Sequence, residues 1–224
     1  MSGFKCSSGE RSNIYSESKF TNWSRYNPFD LEISTLPKYS KPKLRFETGS
    51  GAISVYVQKL HPKFIHPVCA EDIQNVLNRV PAKFLVHLHA IYLLGGTSRQ
   101  LKASKKSFRY GCYESGTIYL YAFPEWMLRN CWGNLPKPTV VEEYKRMGAD
   151  WRKDEAGWWL EFDQGSLERF YLFDVLLHEL GHHVDKRVWE RDTPSAERYA
   201  EWFALETARA IREPSTHYFT EALP

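Results

Sequence analysis

Two histidines and a glutamate in the second half of the chain have the types and the spacing to bind a metal ion and to move a proton. His178 and His182 are four residues apart, so on a helix, where successive residues turn by about 100°, they lie on one face. Their imidazole nitrogens can then bind a single Zn²⁺, and Glu179 lies beside them as a base for a water molecule. The string His178-Glu-Leu-Gly-His182 therefore predicts a zinc site with its own general base.

Two acidic residues further along are candidates for the third protein ligand that a catalytic zinc site requires. Glu197 and Glu201 lie four residues apart on a predicted helix and share its stripe with apolar residues. A buried carboxylate needs a partner, so we expect one to bind the metal and the other to hold a ligating histidine through its second ring nitrogen. Spacing leaves open which acid takes which role. Asp185 is a weaker alternative, for which we expect a structural hydrogen bond instead.

Two helices are expected to position these groups. Gln164-Gly165-Ser166 predicts a helix start with Ser166 as its N-cap, and the helix is expected to end near Val188. Its apolar residues recur at helical spacing, roughly opposite the two histidines: Phe173, Leu176, Leu177, Leu180, Val184 and Val188. Gly181 indicates that a neighbour, such as a strand, approaches closely. Thr193-Pro194-Ser195 predicts the start of the second helix.

This pair of helices resembles that of the glutamate-zincin metallopeptidases, in which a Glu-x-x-x-Asp/Glu helix follows the HExxH helix. The matching strings are His178-Glu-x-x-His182 and Glu197-x-x-x-Glu201-x-Phe203-Ala204. The first helix is similar to that of lethal-factor-type zincins, and the second to that of small intracellular peptidases that cleave repressors. The resemblance covers roughly residues 166–212. The metzincin pattern is absent, because Asp185 and Val188 stand where that family has glycine and histidine.

The resemblance implies roles for individual residues. Glu197 becomes the third zinc ligand, and Glu201 supports a histidine. A Tyr or His beyond the second helix stabilises the oxyanion in related enzymes, which makes His217 and Tyr218 candidates. In the implied reaction, a zinc-dependent endopeptidase cleaves a protein substrate, and Glu179 takes a proton from the attacking water and returns it to the leaving amine.

A second class of function remains open, namely a nucleic-acid-binding or protein-binding module whose zinc site is only structural. Structural zinc sites are usually closed by four protein ligands and rich in cysteine. The predicted site has three ligands and a glutamate placed to act as a base, which favours catalysis.

The remainder of the chain predicts an α+β fold, a zincin-like minimal metallopeptidase domain over residues 51–224. We expect a small twisted sheet packed against the HExxH helix and the following ligand-bearing helix, with residues 117–122 as the edge strand that pairs with substrate. The predicted strands and helix are Ile53–Leu60, Ala70–Arg79 (the helix), Ala90–Leu94, Gly116–Phe123 and Trp158–Phe162. Residues 1–50 are polar and lack periodicity, which indicates an extended or disordered basic arm.

Basic residues are concentrated in the first half of the chain. One cluster, expected on a loop between two strands, consists of Arg99, Lys102, Lys105, Lys106 and Arg109. Such a cluster could bind nucleic acid or an acidic partner, although a solvated loop is the simpler interpretation.

Three further features bear on the environment of the protein. The sequence has no run of 18 apolar residues, so no membrane span is expected. Its start lacks a hydrophobic signal segment, which predicts a cytoplasmic protein and leaves open export by a non-classical route. Cys6, Cys69, Cys112 and Cys131 are widely spaced without a CxxC pair and are expected to be free thiols, with disulfides left open.

Overall fold

A five-stranded mixed sheet forms the centre of the fold in the computed structural model, which describes residues 41–105, 108–146, 148–185 and 193–212. Its spatial order is β1-β2-β4-β6-β5. The middle strands β2, β4 and β6 are parallel, and β1 and β5 run antiparallel at the two edges. The strands are β1 Leu44–Thr48, β2 Gly51–Val57, β4 Ala90–Leu93, β5 Gly111–Glu114 and β6 Thr117–Leu120.

Alternating side chains give this sheet two different faces. One face is apolar and almost completely buried in the core, through Ile53, Val55, Ile91, Leu93, Ile118 and Leu120. On the opposite face, Tyr56, Tyr92 and Tyr119 stack across three strands, with ring centroids 4.6 and 5.4 Å apart. The buried face is the one on which the site helices pack.

The predicted fold class is confirmed at the level of α+β, with a small mixed sheet and several helices. The predicted strands correspond to β2, β4, β6 and β10 (Gly157–Glu161), and the predicted helix to α1 (Ala70–Leu77). Residues 44–48, which the sequence analysis assigned to the arm, instead form the edge strand β1. Residues 1–40 lie outside the described part of the chain.

The prediction that residues 117–122 form the sheet edge is wrong. Strand β6 is internal, because β4 pairs with one side of it and β5 with the other. The edge on this side of the sheet is β5, which joins β6 through a two-residue turn. Ser115 and Gly116 in this turn have φ values of +46° and +77°, as a tight hairpin requires.

Helix α4, Gln164–Arg169, leads towards the segment that carries the HExxH motif. Its N-cap is Asp163, not Ser166. The Asp163 carboxylate accepts the Ser166 N–H at 2.6 Å, and the Ser166 hydroxyl accepts the Asp163 N–H at 2.9 Å. Ser166 is therefore the inner member of a reciprocal capping box, which a turn signal alone does not distinguish from the cap itself.

A π-helical segment, Phe170–Leu176, separates α4 from α5, Leu177–Val184. Wider turns of this kind occur often at functional sites and change the angular positions of the residues that follow. Helix α5 ends at Val184 with Asp185 as its C-cap, and Val188 lies outside the described residues. The expected contrast between a buried apolar face and an open ligand face is not observed, since His178 and Glu179 are buried as well.

A smaller aromatic layer supports the π-helical segment. Strands β8 (Arg129–Gly133), β9 (Asp150–Asp154) and β10 form an antiparallel sheet in the order β8-β10-β9. Tyr144, on α3 (Pro138–Arg146), packs its ring 6.1 Å from that of Phe170. The remaining elements are a two-stranded ribbon of β3 (Phe64–Ile65) with β7 (Phe123–Pro124), helix α2 (Ser98–Ala103) and helix α6 (Pro194–Arg212).

The cysteines only partly match the prediction of free thiols. Cys69 and Cys112 are free thiols, as predicted, but Cys131 is disulfide-bonded, so the expectation of free thiols is wrong for that residue. Sequence spacing does not reveal which distant cysteines the fold brings together.

Within the described residues, no helix is long and apolar enough to span a bilayer.

Candidate metal centre

The site forms where α5 and α6 cross at very short range. A Cβ added at Gly181 would lie 2.7 Å from the Cα of Ala200 and 3.0 Å from its carbonyl oxygen. The close neighbour predicted for Gly181 is therefore present, but it is the backbone of a helix and not a strand. This crossing brings Glu197, one turn before Ala200, to the histidines of α5.

Three side chains converge at this crossing. The Nε2 atoms of His178 and His182 are 3.0 Å apart. Glu197 completes a triangle, with Oε2 at 3.3 Å from His178 Nε2 and Oε1 at 3.6 Å from His182 Nε2. These ligand atoms all lie within 4.8 Å of one another. The structure thus brings together the two histidines and the first of the two acidic candidates.

The dimensions of the triangle fit a tetrahedral zinc ion. With Zn–N and Zn–O bonds of about 2.0–2.1 Å and tetrahedral angles, neighbouring ligand atoms are expected roughly 3.3–3.4 Å apart. The two separations that share His178 Nε2, 3.0 Å to His182 Nε2 and 3.3 Å to Glu197 Oε2, lie near that value. Two imidazoles and one carboxylate also form a donor set typical of catalytic zinc sites.

The electrostatics of Glu197 agree with a role in binding a cation. Burial alone raises the pKa of this half-buried carboxyl, but hydrogen bonding to His178 and the charges of the two histidines outweigh it and lower the pKa below its usual value. Glu197 is therefore held in the ionised form that a metal ligand requires.

Glu179 is enclosed beside the triangle, with only 8% of its surface exposed. Burial, with a smaller contribution from the charge of Glu197, raises the pKa of Glu179 to about 7. His178, Arg109 and a hydrogen bond from the Tyr113 main-chain N–H act in the opposite direction. A carboxyl that titrates near neutral pH can both accept and return a proton.

Edge strand β5 passes directly over Glu179 at Gly111. A Cβ at this position would lie 2.7 Å from Glu179 Oε1, 2.8 Å from Glu179 Cγ and 2.8 Å from Val175 Cγ1. No side chain larger than hydrogen therefore fits at Gly111 unless the general-base candidate moves. Neither this strand nor this glycine was predicted from the sequence; the hairpin turn at residues 115–116 is the signal that could have found them.

Substituting Gly111→Ala is expected to destabilise the protein by about 1–3 kcal/mol, because the added methyl group overlaps two buried side chains. A matched control is Gly165→Ala, in the first turn of α4, where the nearest atom to a new Cβ is the flexible end of Arg169 at 3.3 Å. The control should be neutral or slightly stabilising, since alanine favours helices over glycine. Thermal unfolding of both variants measures the difference. Equal melting temperatures would contradict the proposed overlap.

Asp174 is a buried acid that lies four residues before His178 in the chain. It is 3% exposed, and its Oδ1 lies 3.5 Å from the Arg146 guanidinium. No hydrogen-bond partner of its Oδ2 is present among the described residues. Burial raises the pKa of Asp174 to about 6, against the lowering influence of Arg146 and His178. Its position four residues before His178 was the available signal.

The raised pKa of Asp174 predicts a pH-dependent stability in the metal-free protein. The folded state holds this proton up to about pH 6 and the unfolded state only to about 3.8. The stability that protonated Asp174 contributes is complete below the pKa of the unfolded state. It is lost as the pH rises through the pKa of the folded state. A shift of about two units corresponds to about 3 kcal/mol at most.

Asp174→Asn removes this titration, so the variant is expected to gain stability over the parent at pH 7–8 and to match it near pH 4. Denaturant unfolding with chelator present, repeated across this range, provides the measurement. Parallel curves for the two proteins would show that Asp174 does not carry the effect.

The other predicted site residues lie outside the ligand group or outside the described part of the chain. Glu201 is half-buried on α6, and within the described part of the chain no hydrogen bond or ion pair joins it to His178 or His182. Asp185 caps α5 through its N–H, which bonds to the Gly181 carbonyl at 2.9 Å, and it is not part of the ligand group. His217 and Tyr218 lie outside the described residues.

The basic cluster is not the single loop that was expected. Arg99 and Lys102 are exposed on helix α2, and Lys105 is exposed just beyond it. Arg109 is half-buried and near enough to Glu179 and Glu197 to lower the pKa of both carboxyls. Lys106 lies outside the described residues. Binding of nucleic acid or an acidic partner by the exposed members stays a prediction.

Comparison of the chain with family models, with curated proteins and with solved structures finds no significant match.

Proposed function

We propose that this chain is a zinc-dependent endopeptidase, with His178, His182 and Glu197 as the metal ligands and Glu179 as the general base. The observation that carries the proposal is the convergence of two imidazole nitrogens and the two oxygens of Glu197, at separations of 3.0–3.6 Å, beside an enclosed carboxylate. A glutamate with a pKa of about 7 next to such a group has the properties of a proton-transfer residue.

The metal and the general base have separate tasks in this proposal. When bound, zinc lowers the pKa of a water molecule towards 7 and polarises a carbonyl group. Glu179 accepts the proton of the attacking water and donates it to the leaving amine. The Tyr113 N–H orients the Glu179 carboxylate during both transfers.

Strand β5 provides a place for an extended peptide. It is the edge of the central sheet, and one of its sides is occupied by β6. A peptide substrate can add along the other side through main-chain groups of β5 other than the Tyr113 N–H, which bonds to Glu179. Because Gly111 of this strand touches Glu179, such a peptide would run close to the general base.

A ligand group of three residues also supports catalysis over a purely structural role. Structural zinc ions are usually enclosed by four protein ligands, often cysteines. Neither free thiol, Cys69 or Cys112, belongs to the ligand group found among the described residues. Three ligands leave one coordination position for water or substrate.

The direct test is cleavage of a peptide library by the full chain, with metal content measured in the same preparation. We expect one zinc ion per chain and internal cleavage of peptides. Removing the metal with a chelator should abolish activity, and adding Zn²⁺, but not Mg²⁺, should restore it. A zinc-loaded, folded chain that cleaves no peptide or protein in the library would contradict the proposal.

A further inference from the structure

A hydrogen-bonded group of three residues joins the edge strand to the helix that carries the metal ligands. His183, which directly follows the ligand His182, places Nδ1 3.1 Å from the Tyr113 hydroxyl. Its other ring nitrogen, Nε2, lies 3.0 Å from the carbonyl oxygen of Val86. The Tyr113 hydroxyl also accepts the Gly116 N–H at 3.0 Å. We call this group, Tyr113, His183 and Val86, the strand clamp.

The chemistry of the donors and acceptors assigns a direction to each bond of the strand clamp. A carbonyl oxygen can only accept, so His183 Nε2 donates to Val86. In the neutral ring Nδ1 is then an acceptor, and it receives the Tyr113 hydroxyl proton. The Tyr113 oxygen keeps a lone pair for the Gly116 N–H. Each of these three hydrogen bonds therefore has one donor and one acceptor.

Tyr113 connects the strand clamp to the reacting groups. Its side chain is held by His183, with the two rings packed edge to face at a centroid distance of 5.3 Å. Its main-chain N–H donates to Glu179. A movement of β5 along or away from α5 would therefore change the hydrogen bond to Glu179, even if the metal ligands stayed in place.

We propose that His183 is a positioning residue, which fixes β5 against α5 through Tyr113 and so holds the Glu179 carboxylate in its reactive orientation. This inference rests on the proposed peptidase function for its catalytic consequence. Its structural consequence, the fixing of β5, does not depend on that function. The side chains of His183 and Tyr113 touch neither substrate nor metal in this proposal.

The proposal separates the effects on metal binding, catalysis and strand stability. Loss of the clamp should leave zinc content unchanged, because the three ligands are not altered. The value of kcat should fall about tenfold or more, since small displacements of a catalytic group are costly. Hydrogen exchange of the β5 amides should accelerate by about tenfold, because one anchor of the edge strand is lost.

A double-mutant cycle with His183→Ala and Tyr113→Phe tests the clamp. Tyr113→Phe removes only the hydroxyl and retains the ring and the main-chain N–H. If the two residues act through their shared bond, the double variant should be no worse than the more affected single variant, both in kcat and in β5 exchange. Effects that multiply independently would overturn the proposal.

Two further variants act as controls. His183→Asn retains an acceptor near the position of Nδ1, and it should recover most of the β5 protection and kcat that His183→Ala loses. Tyr92→Phe removes a hydroxyl from another tyrosine of the same sheet, on the face away from the core, and should leave kcat and exchange unchanged. Failure of the asparagine variant to recover either quantity would also overturn the proposal.

The exchange measurement keeps this inference distinct from the proposed function. It is made on the full chain, with and without zinc, and needs no substrate. Coupled changes in β5 exchange in a chain without peptidase activity would establish the clamp and contradict the function. Unchanged β5 exchange in a chain that has peptidase activity would contradict the clamp and support the proposed function.

Discussion

Replacing Glu179 with glutamine is expected to abolish peptide hydrolysis and to leave the zinc content unchanged. The amide cannot accept a proton from water, but it has nearly the same shape as the carboxyl, so the buried site remains filled. Loss of a general base typically lowers the rate by about 10²–10⁴-fold. The value of kcat for a cleaved peptide, measured beside the zinc-to-protein ratio, gives the result.

Glu206→Gln provides a matched control for this substitution. Glu206 lies exposed on α6, so the same change of charge occurs outside the site. The control should retain activity. Hydrolysis at the parental rate in Glu179→Gln, with the control equally active, would show that another group transfers the proton.

Glu197→Ala is expected to weaken zinc binding on the order of 10²–10⁴-fold. Zinc sites in small proteins bind with roughly 10–16 kcal/mol, so losing one of three protein ligands should cost several kcal/mol. The two imidazoles remain, and residual binding should therefore be measurable. Competition with a chromogenic chelator gives the zinc affinity directly, independently of any assay of peptide cleavage.

Glu201→Ala distinguishes the two acidic candidates. In the structure Glu197 lies within 3.3–3.6 Å of the histidine nitrogens, whereas no bond joins Glu201 to either ring in the described residues. Its substitution should change zinc affinity by about tenfold or less. A loss as large as that of Glu197→Ala would contradict the assigned ligand set.

The local part of the site could be predicted because it depends on helical spacing alone. His178 and His182 share a face wherever their segment is helical, and Glu179 is then adjacent to them. The choice between Glu197 and Glu201 depends on the crossing of α5 and α6, which no local pattern specifies. The contact of Gly181 with Ala200 decides it in the structure, by bringing the N-terminal turn of α6 next to the histidines.

Other features required the fold itself. Strand β5 is only four residues long and contains glycine, so its sequence shows no strand periodicity. Its contact with Glu179 through Gly111 and Tyr113 follows from its place at the sheet edge. The π-helical segment before His178 likewise has no simple signal in the sequence, and it shifts the angular positions of the residues that follow it. The sequence indicated a helix start here, but Ser166 was predicted as the N-cap where the structure has Asp163.

The contact between the backbones of α5 and α6 also bears on which ions the proposed metal site would select. Two helices that touch at Gly181 and Ala200 cannot approach further, and separating them would break contacts of the core. Calcium prefers six to eight oxygen ligands at about 2.3–2.6 Å and adapts to flexible, oxygen-rich loops. A site with two nitrogen donors and a single carboxylate, fixed by the contact of two helices, has neither the oxygen ligands nor the flexibility that calcium prefers. Ion selectivity would then originate in main-chain packing as much as in the identity of the ligands.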